Sequence, residues 1–312
     1  MDINIYGTLT GPADEDLHSA VVFVAGSGPT DRDWCSPLLP GMNGTARLLA
    51  EALAKKGYVT LRYDKMGSGP HVKENMPKFI GKASMQSHVK ELATAVEALL
   101  ATGRVAPKNL YVLTNSEGAI HALNYQRWTN GTHFDGLMLT APPGRSVGDL
   151  ARSQIQAQVQ PIPNAENIMK AYDAAVAEFV AGKPMTIDAA LPDPLKMVLK
   201  SLETPANLPF SRELWTYRLA DYLSEIDAPT LVLIGKKDIQ VDWKIDGALL
   251  EKAATDKTNF SFVYPENANH VFKHEIKPRG EINAQWATIS YNAADAVLDT
   301  EVLDAILGWL KR

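Results

Sequence analysis

The chain is 312 residues long, 46% hydrophobic and 21% charged, with a formal net charge of −5: enough chain to bury a full core, better suited to one large domain carrying an insertion than to two in tandem. The mildly acidic balance supplies no basic field for nucleic acid or anionic lipid, and no apolar run approaches the roughly 20 residues that span a bilayer. Cys35 is the single cysteine, which excludes an internal disulfide and a thiol-based zinc site.

Strand-like runs lie near Ile3 to Thr8, Ala20 to Ala25, Tyr58 to Tyr63, Leu110 to Thr114, Gly136 to Thr140, Pro229 to Ile234 and Asn259 to Tyr264. Longer helix-like stretches separate them. Met85, Val89, Leu92, Val96 and Leu99 recur at helical spacing, as do Val302, Ile306 and Leu310. Such alternation predicts an α/β fold, a mostly parallel sheet with helices on both faces. From about Pro143 to Ala228 the alternation stops, and only helix-like segments punctuated by prolines are present. This stretch reads as an inserted helical cap. The expected organisation is a core from 1–143, a cap from 144–228 and the rest of the core from 229–312.

Within Asn109-Leu-Tyr-Val-Leu-Thr-Asn-Ser116-Glu-Gly118, an apolar strand-like segment stops and a helix-like one starts within about two residues of Ser116. A sharp strand-to-helix turn holds a serine in a sparsely allowed backbone region. It lifts the hydroxyl clear of its neighbours and aims the first helical N–H groups at the atom to be attacked.

Several motifs in order carry a resemblance. They are Gly26-Ser-Gly-Pro-Thr-Asp-Arg-Asp33, Tyr63-Asp-Lys-Met-Gly-Ser-Gly69, Asn115-Ser-Glu-Gly118, Pro143-Gly-Arg-Ser146, Gly235-Lys-Lys-Asp-Ile-Gln-Val241 and Asn269-His-Val-Phe272. Together they span nearly the whole chain, which resembles the α/β-hydrolases and, among them, the serine esterase and peptidase-like group with a helical cap. The resemblance implies an α/β-hydrolase fold and a Ser-Asp-His order of catalytic groups. The literal G-x-S-x-G match is Gly144-Arg-Ser146-Val-Gly148, but Ser146 follows a proline-rich loop rather than a strand. Ser116 is therefore preferred as nucleophile, and Ser146 reads as a helix cap. Thr114 replaces the first glycine of the elbow, and its β-branched side chain needs extra room there.

A serine hydroxyl needs a base to take its proton and a carboxylate to hold that base. His270, in a short loop after the last strand, is the expected base. His274 is its local rival and reads as a surface residue beside Lys273 and Glu275. Asp238, three residues past Gly235 at a strand tip, is the expected acid. Asp242 competes, but it precedes a helix and serves as an N-cap. By resemblance, the oxyanion hole is built from the backbone N–H groups of Ser27 and Glu117. Asp31, Arg32 and Asp33 read as loop bracing. Glu117 reads as half of a buried ion pair with Arg32, Arg62 or Lys65.

Trp34, Met66, Phe210, Trp215, Tyr217 and Trp243 are candidates to line a substrate pocket, and serve equally as packing residues. The implied activity is hydrolysis of carboxylic esters with small to medium apolar acyl groups through an acyl-enzyme. A serine peptidase or thioesterase using the same groups is the alternative, and a silent binding protein the remaining one. Neither a cofactor nor a metal is expected. The expected partner is a small-molecule ester, with no nucleic acid and no membrane. The Met1-Asp-Ile-Asn-Ile start lacks a secretory layout, which makes the cytoplasm the expected location.

Overall fold

The computed structural model describes residues 3–312; Met1 and Asp2, where the reading of the N-terminus begins, lie outside the described residues. One seven-stranded sheet is built from β1 (Gly7–Thr10), β2 (His18–Val24), β3 (Val59–Tyr63), β4 (Val105–Thr114), β5 (Gly136–Thr140), β6 (Thr230–Leu233) and β7 (Phe260–Val263). The strand order is β1-β3-β2-β4-β5-β6-β7. β1 pairs antiparallel with β3 at one edge, and all other neighbours are parallel. The helices are α1 (Thr45–Ala54), α2 (Val72–Phe79), α3 (Met85–Leu100), α4 (Gly118–Trp128), α5 (Val147–Val159), α6 (Ala165–Val180), α7 (Asp193–Leu202), α8 (Phe210–Thr216), α9 (Ile245–Ala253), α10 (Ala284–Ser290) and α11 (Thr300–Leu310).

The central strands are continuous apolar runs because both of their faces are covered. In β2, Val21 and Phe23 face Leu49 and Leu53 of α1 and Val302 and Ile306 of α11. Val22 and Val24 point the other way, into a cluster with Leu92 and Val96 of α3 and Ile120 and Leu123 of α4. The two-residue period of a strand thus divides one segment between two cores. The spacing of Met85 to Leu99 is realised in α3, whose start is fixed by a capping box between Ser84 and Ser87.

Two strands begin four or five residues away from expectation, and the other limits agree within two residues. The first strand covers Gly7–Thr10 rather than Ile3 to Thr8, since the antiparallel register sets Gly7 against Tyr63 and Thr10 against Thr60. β4 begins at Val105, five residues before Leu110, because Val105 pairs with His18 ahead of a register irregularity that turn-like residues at Pro107 and Asn109 conceal. Between β5 and β6 the chain forms α5 to α8 and a 3-10 turn over Leu219–Glu225, with no strand among the described residues. Tyr172, Phe179, Leu199 and Trp215 give these helices an apolar cluster of their own. Leu214, Leu219 and Leu223 join the main core instead.

Candidate active site

The strand-to-helix turn at Ser116 occupies three residues, between the end of β4 at Thr114 and the start of α4 at Gly118. Ser116 has φ of +52°, in the left-handed region that costs a non-glycine residue of order 1 kcal/mol or more. The geometry is held on both sides. The Ser116 N–H donates to Thr140 O at 2.9 Å, and the Gly118 N–H to Asn115 O at 2.8 Å. A Cβ at Gly118 would lie 2.5 Å from Val24 O, so only glycine lets α4 sit this close to β2. Thr114, in place of the elbow's first glycine, is fully buried, and its hydroxyl accepts from Thr140 N at 3.3 Å. Its oxygen gives β4 a side-chain tie to β5, which is how the branched residue is accommodated.

Asp238 follows the tip of β6 and is fully buried. One carboxylate oxygen accepts from Gln240 N at 2.7 Å and Val241 N at 2.9 Å; the other meets His270 Nδ1 at 2.8 Å. The carboxylate can only accept, so Nδ1 carries the proton and Nε2 is left as the basic nitrogen. The loop bearing His270 is wound on Asn269, whose Oδ1 accepts from Val271 N and Lys273 N at 3.1 and 3.0 Å. Gly235 lets the two loops meet, since a Cβ there would lie 2.0 Å from Ala268 O. Asn115, the residue before the serine, donates from Nδ2 to His270 O at 3.2 Å. Elbow and histidine loop are thereby tied, one residue from the serine and at the carbonyl of the histidine itself. The hydrogen bonds of the structure join Asp238 to His270; the Ser116 hydroxyl has no protein partner among the described residues.

Gly26 packs against the elbow, its missing Cβ directed at Asn115 and, at 3.3 Å, at the Ser116 Cβ. The next amide is that of Ser27. Neither Ser27 N nor Glu117 N donates to a protein group among the described residues. Buried Lys65 touches both segments: its ammonium donates to Gly26 O and lies 3.6 Å from the Glu117 carboxylate. In a trans peptide the carbonyl and the following N–H point in opposite directions. Fastening Gly26 O to Lys65 therefore turns the Ser27 N–H to the far side.

Behind Lys65 runs a buried polar chain. Glu117 Oε1 accepts from His121 Nε2 at 3.0 Å, the His121 and His88 rings stack at 4.6 Å, and His88 Nδ1 lies 2.6 Å from Glu91. Burial alone would raise the Glu117 carboxyl, but Lys65 and the His121 bond outweigh it and hold the group well below the ordinary carboxylate range. Burial, with His88 alongside, pushes His121 down to about 4 despite Glu117. His121 is thus a neutral donor, and its Nδ1 is buried without a partner.

Lys65 is the partner of Glu117; Arg32 is not, being bound to Asp64 at 2.5 Å, nor is Arg62, which bonds Asp33. Asp31 Oδ1 accepts from Asp33 N and Cys35 N, both at 2.9 Å, which makes the charged loop a self-bracing one. Ser146 caps α5 by accepting from Asp149 N at 3.0 Å. Asp242 accepts from Lys244 N and Ile245 N and pairs with Arg279. His274 contacts neither neighbour by its ring: Nδ1 meets Asp299 at 2.9 Å, while Lys273 and Glu275 are buried.

The aromatic and methionine candidates are divided among packing clusters: Phe210, Tyr217 and Trp243 lie against the main core, Phe210 also against the group that holds Met66, and Trp34 and Trp215 belong to two others. Trp34 packs on Phe23, Met66 on Phe79, and Trp215 on Phe179 among the inserted helices. Phe210 stands edge-on to His88. The Tyr217 hydroxyl donates to Asn124 at 2.5 Å, and Trp243 stacks near Tyr264 under Lys236 and Lys244. Sequence reasoning passed over Asn115, Asn269 and Tyr291. The two asparagines stand beside the serine and the histidine in the motifs themselves, a signal that was available. Tyr291, whose ring centroid lies 6.5 Å from that of His270, had none.

The parallel sheet with its strand-to-helix serine turn after β4, and its aspartate and histidine loops after β6 and β7, is the α/β-hydrolase fold. Residues 38–276 match the family described as serine aminopeptidase, S33 (Hydrolase_4), and the chain belongs to that family. It is 24% identical over 305 residues to esterase EstD of Thermotoga maritima, covering 97% of this chain and 65% of the relative's length. Among solved structures it is similar to a thermophilic esterase from Thermogutta terrifontis, with a TM-score of 0.56 and 18% identity over 99% of this chain and 93% of the other. A bromoperoxidase from Bacillus anthracis aligns with a TM-score of 0.54 and 16% identity over 99% and 96%. At such identities the likeness speaks to the fold, which carries more than one chemistry.

Proposed function

We propose that the protein is a serine hydrolase that cleaves carboxylic esters through an acyl-enzyme, with Ser116 as nucleophile, His270 as general base and acid, and Asp238 as the carboxylate that orients the imidazole. The observation that carries this reading is the buried Asp238–His270 pair, tied through Asn115 to a serine held at positive φ. His270 Nε2 takes the Ser116 proton as Oγ bonds to the carbonyl carbon. The carbonyl oxygen becomes an oxyanion facing the Ser27 and Glu117 N–H groups. Collapse breaks the bond to the alcohol oxygen, which leaves with the proton from His270. Water then repeats the sequence, releasing the acid and freeing Ser116. The helices of residues 144–228 act as a cap over the strand ends, limiting access and excluding water.

The esterase name of the Thermotoga maritima relative supports the ester class. The family description favours a second reading, amide cleavage by the same groups. A fluorophosphonate probe is expected to label the wild-type protein and Ser146→Ala, and not Ser116→Ala. Ester hydrolysis should fall at least a thousandfold in Ser116→Ala. Labelling retained in Ser116→Ala would refute the assignment. Turnover of aminoacyl amides above that of p-nitrophenyl esters would shift the function to peptidase.

A further inference from the structure

A cavity of about 510 Å³ adjoins the histidine–aspartate pair, within the roughly 300–1,000 Å³ of small-ligand clefts. Four parts of the chain wall it: Leu39 from the segment after β2, Ile239 and Gln240 after β6, the α10 region through Tyr291, and the outer face of α5. All four follow the carboxyl ends of parallel strands, α5 coming after β5, and this is the side where ligands bind in α/β folds. The position relative to the reacting groups is specific. Gln240 donates its N–H to Asp238, and its side chain reaches the Tyr291 hydroxyl at 3.4 Å; the Tyr291 ring in turn stacks near His270. No lining residue comes from the Gly26–Gly28 loop or from Ser116–Gly118. Asp238 and His270 do not line it directly either; Gln240, bonded to Asp238, and Tyr291, beside the His270 ring, set the space on the imidazole side of the site.

That side is where the departing group must be, since His270 has to protonate the alcohol oxygen as its bond to carbon breaks. Resting on the serine hydrolase reading above, we infer that this cavity holds the alcohol portion of the ester. Its chemistry defines the class. Leucine, isoleucine and alanine make up six of the twelve lining residues and apolar surface predominates; the others are Gln154, Gln158, Gln240, Asn283, Thr288 and Tyr291, none of them charged. Burial pushes the Tyr291 phenol far up, so it too is neutral. An uncharged, mainly aliphatic alcohol fits; an ammonium or carboxylate in the alcohol would lose its hydration without a partner.

Two exposed alanines line the cavity from different helices, Ala157 on α5 and Ala284 on α10. Each can be enlarged with little repacking of the core. Steady-state kcat/KM is measured for ethyl acetate, hexyl acetate and ethyl hexanoate in the wild type, Ala157→Trp and Ala284→Trp. Both variants are expected to lower the hexyl acetate to ethyl acetate ratio at least tenfold, the scale of discrimination by pocket volume. The ethyl hexanoate to ethyl acetate ratio should shift less than threefold. A loss confined to ethyl hexanoate would assign the cavity to the acyl group and overturn the inference, as would unchanged ratios in both variants. If the wild type neither hydrolyses these esters nor is labelled at Ser116, the underlying reading fails, and this inference with it.

Discussion

Lys65 is the residue on which the two amides proposed as oxyanion donors depend jointly. Its ammonium holds the carbonyl of the peptide that carries the Ser27 N–H, and its charge balances Glu117, whose own N–H is the second proposed donor. Replacing it by methionine keeps much of the volume and removes both ties. Turnover of Lys65→Met is expected to fall about tenfold to a hundredfold, somewhat less than deletion of a donor outright, with KM changed little. The protein should also lose about 3–5 kcal/mol of stability, because Glu117 is left as a buried unpaired carboxylate. Lys65→Met/Glu117→Gln should regain part of that stability in urea titrations without regaining turnover, since the glutamine does not re-aim the Gly26–Ser27 peptide. Recovery of both together would mean that Lys65 acts on folding alone. Much of this was legible from residue order: Ser116, Asp238 and His270 stand at strand ends, and a carboxylate beside the proposed nucleophile called for a cation. Which cation answered was not legible, because Arg32, Arg62 and Lys65 differ only in where β3 and the glycine loop set them.

At the scale of elements, the site is a set of close approaches between loops that leave successive strand ends. α4 meets β2 through Gly118, and the aspartate loop meets the histidine loop through Gly235. Gly118→Ala forces a methyl group toward two backbone carbonyls, at 2.5 Å from Val24 O and 2.8 Å from Ala25 O. Neither can swing aside as a side chain would. The variant is expected to lose about 1–3 kcal/mol, read as a lower denaturation midpoint, and to lose activity as the helix shifts from the serine. An unaltered midpoint would show that α4 is free to move outward. The periodic helices were the easiest elements to anticipate, α3 above all, because its apolar spacing and its burial share one cause. The edges were harder. β4 extends five residues beyond its apolar run since pairing with β2 continues past it, and backbone pairing leaves no mark in side-chain pattern.

Across the whole molecule, the buried chain from Lys65 to Glu91 makes stability depend on pH. Both anomalous groups in it act in the same direction. The Glu117 carboxyl is depressed, so its contribution is complete above its unfolded value near 4.5 and declines as pH falls toward the lower folded value. His121 is depressed from 6.5 to about 4; in that window the unfolded chain takes up a proton that the folded one refuses, so stability again falls with falling pH. Unfolding free energy measured by urea titration should therefore decline from pH 7 to pH 4, and His121→Gln should flatten the upper part of that decline. A wild-type profile level between pH 6.5 and 4 would contradict the neutral, buried imidazole. On this scale the division between sequence and structure is clear. The order of strands and helices, the α/β class and the identities of Ser116, Asp238 and His270 as the groups to examine were written in the sequence, since apolar periodicity and motif order are local properties of the chain. The convergence on the Lys65–Glu117 pair, the division of the aromatic residues among packing clusters and the cavity beside Tyr291 were decided only in three dimensions. Each depends on contacts between segments tens to hundreds of residues apart, whose distances are set by sheet order and loop packing and not by any pattern that one segment carries alone.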